Sequence, residues 1–328
     1  MFQDAKSFNQ DISGWYVEGV TDMQFMFFTA RVFNQNIGGW NVSQVTDMSS
    51  MFQGANQFNR HISNWNVSNV TDMNYMLNGA TVFNQNIGSW NVHRVTDMGG
   101  MFRSAISFNS GIFQLDASSH ITDMTSMFNV ARAFNQDIGS WNVHRVQDMS
   151  SMFQDATNFN QNIGQWNVEN VLDMNQMFNQ ALVFNKNIGV WNVEGVTNMN
   201  QMFNGAQAFN QYIGEWNVEK VRNMNQMFNG AQAFNQNIGG WDVSGVTDMS
   251  SMFKGASNFN QDISGWNVSG VKNMSSMFQR ATGGSITKRE MYYWNGYDYK
   301  LNENNLNWDD HEALAKEWGY EASGGGHL

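Results

Sequence analysis

The sequence repeats itself with a fixed step. A Phe-Asn pair opens each copy at Phe8, Phe33, Phe58, Phe83, Phe108, Phe134, Phe159, Phe184, Phe209, Phe234 and Phe259. The step is 25 residues throughout except from Phe108 to Phe134, where it is 26. A constant period of this size demands a coil of stacked rungs, because one such unit cannot bury its apolar edge alone, whereas neighbours share a continuous core. Residues 1–282 are therefore expected to form one solenoid of eleven repeats preceded by a partial one, and 283–328 a C-terminal cap with a flexible tail. Met1–Phe8 matches Met51–Phe58, so the chain opens in mid-repeat, as an excised piece would.

Each copy divides into halves of different periodicity. In the last, Ile263, Trp266 and Val268 lie three and then two apart, and the closing Trp-x-Val alternation predicts a short strand. Met274, Met277, Phe278 and Ala281 follow at i, i+3, i+4 and i+7, which predicts a helix of about two turns. The Thr-Asp pair before it, as at Thr247-Asp248, is N-cap chemistry, and glycines such as Gly54 and Gly205 are placed to end the helix. The expected fold is an α/β repeat: a right-handed, leucine-rich-repeat-like solenoid with one short parallel strand and one short helix per 25 residues. A helical cap is expected around Asn307–Tyr320. With strands ~4.7–4.9 Å apart, eleven rungs stack to about 50 Å.

The invariant columns read as interior. Phe opens all eleven copies and Trp recurs in ten, from Trp15 to Trp266, with Leu115 as the exception. At inward-phased positions these rings are core rather than sugar-stacking surface. The Asn after each Phe is expected to form a hydrogen-bonded ladder that satisfies backbone groups at the turn. The Asp of Thr-Asp-Met has the look of a calcium column. Capping explains it more simply, since Asn198, Asn223 and Asn273 substitute there.

The repeat "FNQDISGWNVSGVKNMSSMFQRA" at Phe259–Ala281, and its counterpart at Phe58–Ala80, resemble those of BspA-type leucine-rich surface proteins, a repeat abundant in mycoplasma-type lipoproteins. The Trp-Asn-Val, Val-Thr-Asp-Met and Met-Phe-x-x-Ala elements carry the resemblance over about residues 1–282. It implies an extracellular or cell-surface location, adhesion or partner binding, and no enzymatic activity. No lipobox or wall-anchoring motif accompanies it.

Function in a solenoid belongs to exposed positions that vary over a fixed core. The residue after Val runs Glu18, Ser43, Ser68, His93, Ser119, His144, Glu169, Glu194, Glu219, Ser244 and Ser269. Arg94, His120 and Arg145 stand beside it in the middle rungs. A basic island (His93, Arg94, His120, His144, Arg145) is thus followed by three glutamates one rung apart (Glu169, Glu194, Glu219), and these eight residues are the candidate partner-binding set. The copy Phe108–Ala133 carries the extra residue and should bulge the strand face beside the island.

Other classes are disfavoured. The net charge of −11 without a basic stripe argues against nucleic acid and anionic membranes. No apolar run approaches the ~18 residues of a membrane span. Cysteine is absent, so the fold is independent of redox compartment. No catalytic motif appears, and no cofactor or metal is implied. His93 and His144, two rungs or roughly 10 Å apart, are too distant to share one ion. Sequons at Asn41, Asn66, Asn69, Asn267 and Asn273 are acceptors for glycosylation in a eukaryotic secretory pathway. Two functions stay open: recognition of a protein or glycan along the strand face, or self-association into filaments or a surface layer.

Overall fold

The computed structural model describes residues 1–281. The C-terminal segment, with the expected cap helix, lies outside them. The chain winds as a stack of 25-residue rungs held in register by parallel bridges from Asp22↔Asp47 to Asp248↔Asn273. The bridged column is the Asp of Thr-Asp-Met, not the Trp-x-Val segment. Residues around Trp form turns instead: the Trp40 N–H donates to the Ile37 carbonyl at 3.1 Å and Val45 to Val42 at 3.0 Å. The predicted strand and its predicted neighbour have exchanged roles.

No helix forms among the described residues. From Met23 onward, alternate amides leave the rung: Met23, Phe25, Phe27 and Thr29 donate to the carbonyls of Asp47, Ser49, Met51 and Gln53 at 2.7–3.1 Å. The residues between them close turns within the rung, Met26 to Met23, Phe28 to Phe25 and Ala30 to Phe27. Phe25 and Thr29, third in their four-residue turns, have φ of 53° and 54°, the sign a type II turn requires at that place. Two such turns in tandem put apolar residues at i, i+3, i+4 and i+7, just as two helical turns would. An eight-residue helix leaves its first four N–H and last four C=O groups unpaired, and so short a helix is marginal in water. The stacked turns hand half of those amides to the next rung. Gly54, Gly79, Gly205, Gly230 and Gly255 have φ of 69–71°, so they do supply a left-handed residue, but within a turn rather than at a helix end.

The interior is one cluster running from Ile12 to Met277. Two phenylalanine columns lie side by side, with rings 3.9–4.2 Å apart within a rung, as in Phe27–Phe33 and Phe102–Phe108. Along each column the rings stack, at 5.9 Å for Phe33–Phe58 and 5.5 Å for Phe27–Phe52. Every tryptophan from Trp40 to Trp266 donates its indole N–H to a carbonyl of the preceding rung at 3.0–3.2 Å. The polar edge of a buried ring is thereby satisfied. The asparagine ladder is continuous: from Asn34 to Asn260, each backbone N–H donates to the preceding Asn Oδ1 at 2.8–3.1 Å.

Leu77 stands in one phenylalanine column and is fully buried, so burial rather than ring stacking is the requirement there. Phe153→Ala is expected to cost ~3–5 kcal/mol, whereas Phe153→Leu, which copies that native rung, should cost less than half as much. Chemical denaturation of the two variants checks this; equal losses would mean that stacking, not volume, holds the column.

Candidate partner-binding surface

The candidate residues sit on a ridge formed by one turn per rung. In a regular copy the turn closes between two buried valines, as from the Val95 N–H to the Val92 carbonyl at 3.0 Å, leaving His93 and Arg94 at its corner. The preceding Asn sets the corner's direction, because its Oδ1 accepts the N–H two residues on in an Asx-turn. The bond recurs at His93, His144, Glu169, Glu194 and Glu219 at 3.1–3.2 Å. The members of the column from Ser43 to Ser269 therefore leave the coil in the same way, whatever their charge; Glu18, two residues after Tyr16, lacks this bond. Glu169, Glu194, Glu219, Arg94, His120 and Arg145 are exposed, and His93 and His144 half-buried.

The extra residue of the irregular copy is absorbed in this turn and leaves the bridge ladder intact, with Asp97↔Asp123 and Asp123↔Asp148 both parallel. The expected bulge of the strand face is thus a widened corner. Ser118, whose N–H donates to Asp116 Oδ1 at 2.8 Å, holds the place assigned above to Ser119, and Ser119 is buried. The shift also sets His120 in register. Its Nδ1 lies 2.9 Å from the His93 carbonyl oxygen, as Asn69 and Asn170 Nδ2 donate to the carbonyls of Ser43 and His144. Leu115 occupies the missing tryptophan's slot, and Phe113 fills the remaining volume by stacking on Trp141 at 5.7 Å.

The ridge has a charge step. Arg94 donates to Asn69 Oδ1 at 2.9 Å and Arg145 Nε to His144 Nε2 at 3.3 Å, so neither guanidinium is spent on a carboxylate. His144 Nδ1 lies 2.6 Å from Asn142 Oδ1, so Nδ1 carries the proton while Nε2 accepts from Arg145. On the acidic side Lys220 pairs with Glu194 at 3.7 Å, both largely exposed, and such a pair contributes little. Asp116 is held below the ordinary carboxylate value by hydrogen bonds from the Ser118 side chain and backbone. The structure brings the eight candidates onto one ridge; none of them meets another across a cleft. Among the described residues no group of three His, Cys, Asp or Glu side chains is arranged to hold a metal ion, and no helix is long and apolar enough to cross a membrane.

A second electrostatic column runs along the bridges, at the Asp positions expected to cap helices. Each Asp or Asn accepts the N–H two residues on, at 2.7–2.8 Å for Asp and 2.9–3.1 Å for Asn. The shorter contacts are those to charged acceptors.

A repeat coil whose interior is invariant and whose ridge varies is a scaffold that displays side chains. The chain belongs to the family described as Mycoplasma protein of unknown function, DUF285, whose model matches residues 1–55, 33–120, 116–216 and 184–294. Among solved structures, a leucine-rich repeat protein from Bacteroides ovatus is 8% identical, with 73% of this chain and 68% of that chain covered and a TM-score of 0.37. A leucine rich cell surface protein from Faecalibacterium prausnitzii is 10% identical, with 81% and 87% covered and a TM-score of 0.33. No curated protein matches the sequence.

The aspartate column yields a test. Partial burial pushes the Asp72 carboxyl above its ordinary value of 3.8; the Asn74 backbone N–H opposes this, and the stacked Asp97 and Asp47 carboxylates add to the rise. A raised folded-state value means that the folded chain holds the proton more tightly. Stability contributed by this group is therefore full below about pH 3.9 and falls as pH climbs through the raised value. Asn198, in the same column, donates to Asp173 Oδ2 at 3.1 Å. Asp72→Asn should accordingly stabilise the protein at pH 7, by less than ~1 kcal/mol for a group so exposed to solvent. The gain should vanish near pH 3. Thermal melts of both proteins across that range check it; a loss at pH 7 would contradict the assignment.

Proposed function

We propose that the chain is an extracellular or cell-surface recognition module. In this reading it binds a protein or glycan partner along the ridge formed by His93, Arg94, His120, His144, Arg145, Glu169, Glu194 and Glu219. The observation that carries the reading is the contrast between columns. Ridge positions change charge from rung to rung although their backbone hydrogen bond is constant, while the tryptophan and phenylalanine columns a few residues away scarcely vary. Structure alone demands the second behaviour and not the first. The surface location follows from the resemblance of the repeats. A cationic corner whose guanidinium groups are not tied up by carboxylates suits an acidic group on a partner. Nucleic acid fits poorly with the net charge of −11, and catalysis has no unique cluster of groups to use.

The test is a binding screen of the whole chain against arrayed glycans and host surface proteins, repeated with Arg94→Ala combined with Arg145→Ala. A ligand bound by the native chain and lost, or weakened at least ~10-fold, in the variant supports the ridge. A ligand bound equally by both would move recognition elsewhere on the coil. Large regular assemblies formed without ligand would favour the structural alternative, a filament or surface layer.

A further inference from the structure

The order of residues along the ridge has a symmetry that display of a foreign-ligand site does not require. With Ser118 placed by its Asx-turn, the column reads Glu18, Ser43, Ser68, His93, Ser118, His144, Glu169, Glu194, Glu219, Ser244, Ser269. The ten from Ser43 to Ser269 share the Asx corner, which Glu18, two residues after Tyr16, does not, and the midpoint of these ten falls between His144 and Glu169. On one side stand three rungs flanked by cations, on the other three glutamates, and beyond each set two serines. The mirrored places pair His144 with Glu169, His93 with Glu219 and the small Ser118 with Glu194, so hydrogen-bond donors and neighbouring cations on one side answer carboxylates on the other. An isologous two-fold contact requires this relation, because residue i of one copy meets residue j of the other and j meets i in return.

Resting on the reading of this ridge as the recognition surface, we infer that its partner is a second copy of this chain, docked antiparallel about a two-fold axis between the His144 and Glu169 rungs. Rotation about an axis across the ridge keeps each column over itself and reverses the order of rungs. His144 then faces Glu169, Ser118 faces Glu194, and His93 faces Glu219, each pair occurring twice. Arg145 and Arg94, without carboxylate partners among the described residues, extend from the adjacent column toward the opposing glutamates. Six rungs at ~4.8 Å set the charged contact at about 29 Å long, and the two serines on either side of it carry no charge. The acidic half carries two cations, Lys220 and Arg222, and the Arg222 guanidinium is held on the Glu219 carbonyl at 2.9 Å; Lys220 stands in the column of Arg94. It would face Arg94, and its pairing with Glu194 within the chain reduces that cost. A two-fold contact closes on itself, so this pairing makes dimers and not filaments.

The test uses two doubly substituted full chains. One is His93→Glu with His144→Glu, which copies the native Asn-Val-Glu corner; the other is Glu169→Lys with Glu219→Lys. Sedimentation and light scattering should find the native chain self-associating at low ionic strength. The dimer should loosen as salt shortens the Debye length from about 30 Å to about 3 Å. Each variant alone should self-associate at least ~10-fold more weakly, because like charges then face each other. Mixed together, the two should form a heterodimer, since every opposing pair is again complementary. His93→Ser with His144→Ser, residues native to the column, should give an intermediate loss and guards against a variant that fails to fold. A native chain that stays monomeric at low salt overturns the pairing but leaves the ligand screen to judge the ridge itself. A dimer indifferent to both variants, or a mixture with no heterodimer, overturns it as well.

Discussion

The rung-to-rung backbone hydrogen bond is the constraint on which the rest depends. In this coil the amide after the first Met of the Met-x-x-Met-Phe segment donates to the Asp side chain, and those that follow alternate between donating to the carbonyl of the next rung and closing a turn within their own. That alternation fixes the position of every rung relative to its neighbours, so a residue is always stacked on its own counterpart. The columns of Phe, Trp, Asn and Asp are consequences of this register. A side chain that fits once fits at each rung, and one that clashes does so repeatedly. The backbone price is a left-handed residue in each tandem turn, which for Thr29 and Val130 means a β-branched side chain at φ of 54° and 61°, a conformation costing roughly 1–2 kcal/mol.

What was legible in the sequence was whatever depends on which side chains face inward. Phe33, Trp40, Met48 and Phe52 are buried as their phasing requires, and the asparagine ladder follows from a polar residue repeated beside the core. What was not legible was the backbone path. Met23, Met26, Phe27 and Ala30 have helical spacing, yet tandem four-residue turns share it, and periodicity cannot separate the two. The deciding clue was subtle. Most equivalents of Phe25 are Ser, Gly or Gln (Ser50, Gly100, Ser126, Gln176), with Tyr75 as an exception, and most of those of Thr29 are Gly, Ser, Asp or Gln (Gly54, Asp155, Gln180), with Val130 and Arg280 as exceptions. This mixture of small and amide residues with glycine tolerates positive φ better than the alanine, leucine and lysine of a robust helix. Likewise Asp47 reads as an N-cap because an Asx-turn uses the same bond, from carboxylate to the N–H two residues on. The candidate residues were legible as variable positions, and their grouping on one ridge followed from the repeat. The exchange of Ser119 for Ser118 was not, since nothing in "DASSHI" says which residue the widened corner buries.

Stacking identical charges at rung spacing is the standing electrostatic problem of such a coil, and its two charged columns meet it differently. In the bridge column, carboxylates from Asp22 to Asp173, partly buried from Asp47 onward, follow one another without a break, and relief comes from local donors such as Asn74 Nδ2 on Asp97 and from Asn at 198, 223 and 273. These aspartates have a structural bond to make, the one to the N–H two residues on, so a neutral amide can replace them. The ridge glutamates make no such bond with their carboxylates: the corner is already held by Asn167, Asn192 and Asn217. Charge there is free of any duty to the fold.

That separation is what lets a repeat protein carry information. Had the ridge side chains closed their own turns, changing Ser68 to His93 or His144 to Glu169 from rung to rung would have altered the coil. Because the preceding Asn closes the turn in each case, the column can hold any sequence of charges at little cost to stability. An ordered sequence of charges on such a column is therefore evidence of something outside the single chain. Drift would scatter signs along eleven rungs. A foreign ligand would call for one patch. The run from Ser43 to Ser269, with histidines and arginines on one side of its midpoint and glutamates on the other, is ordered as the proposed contact with another copy would require.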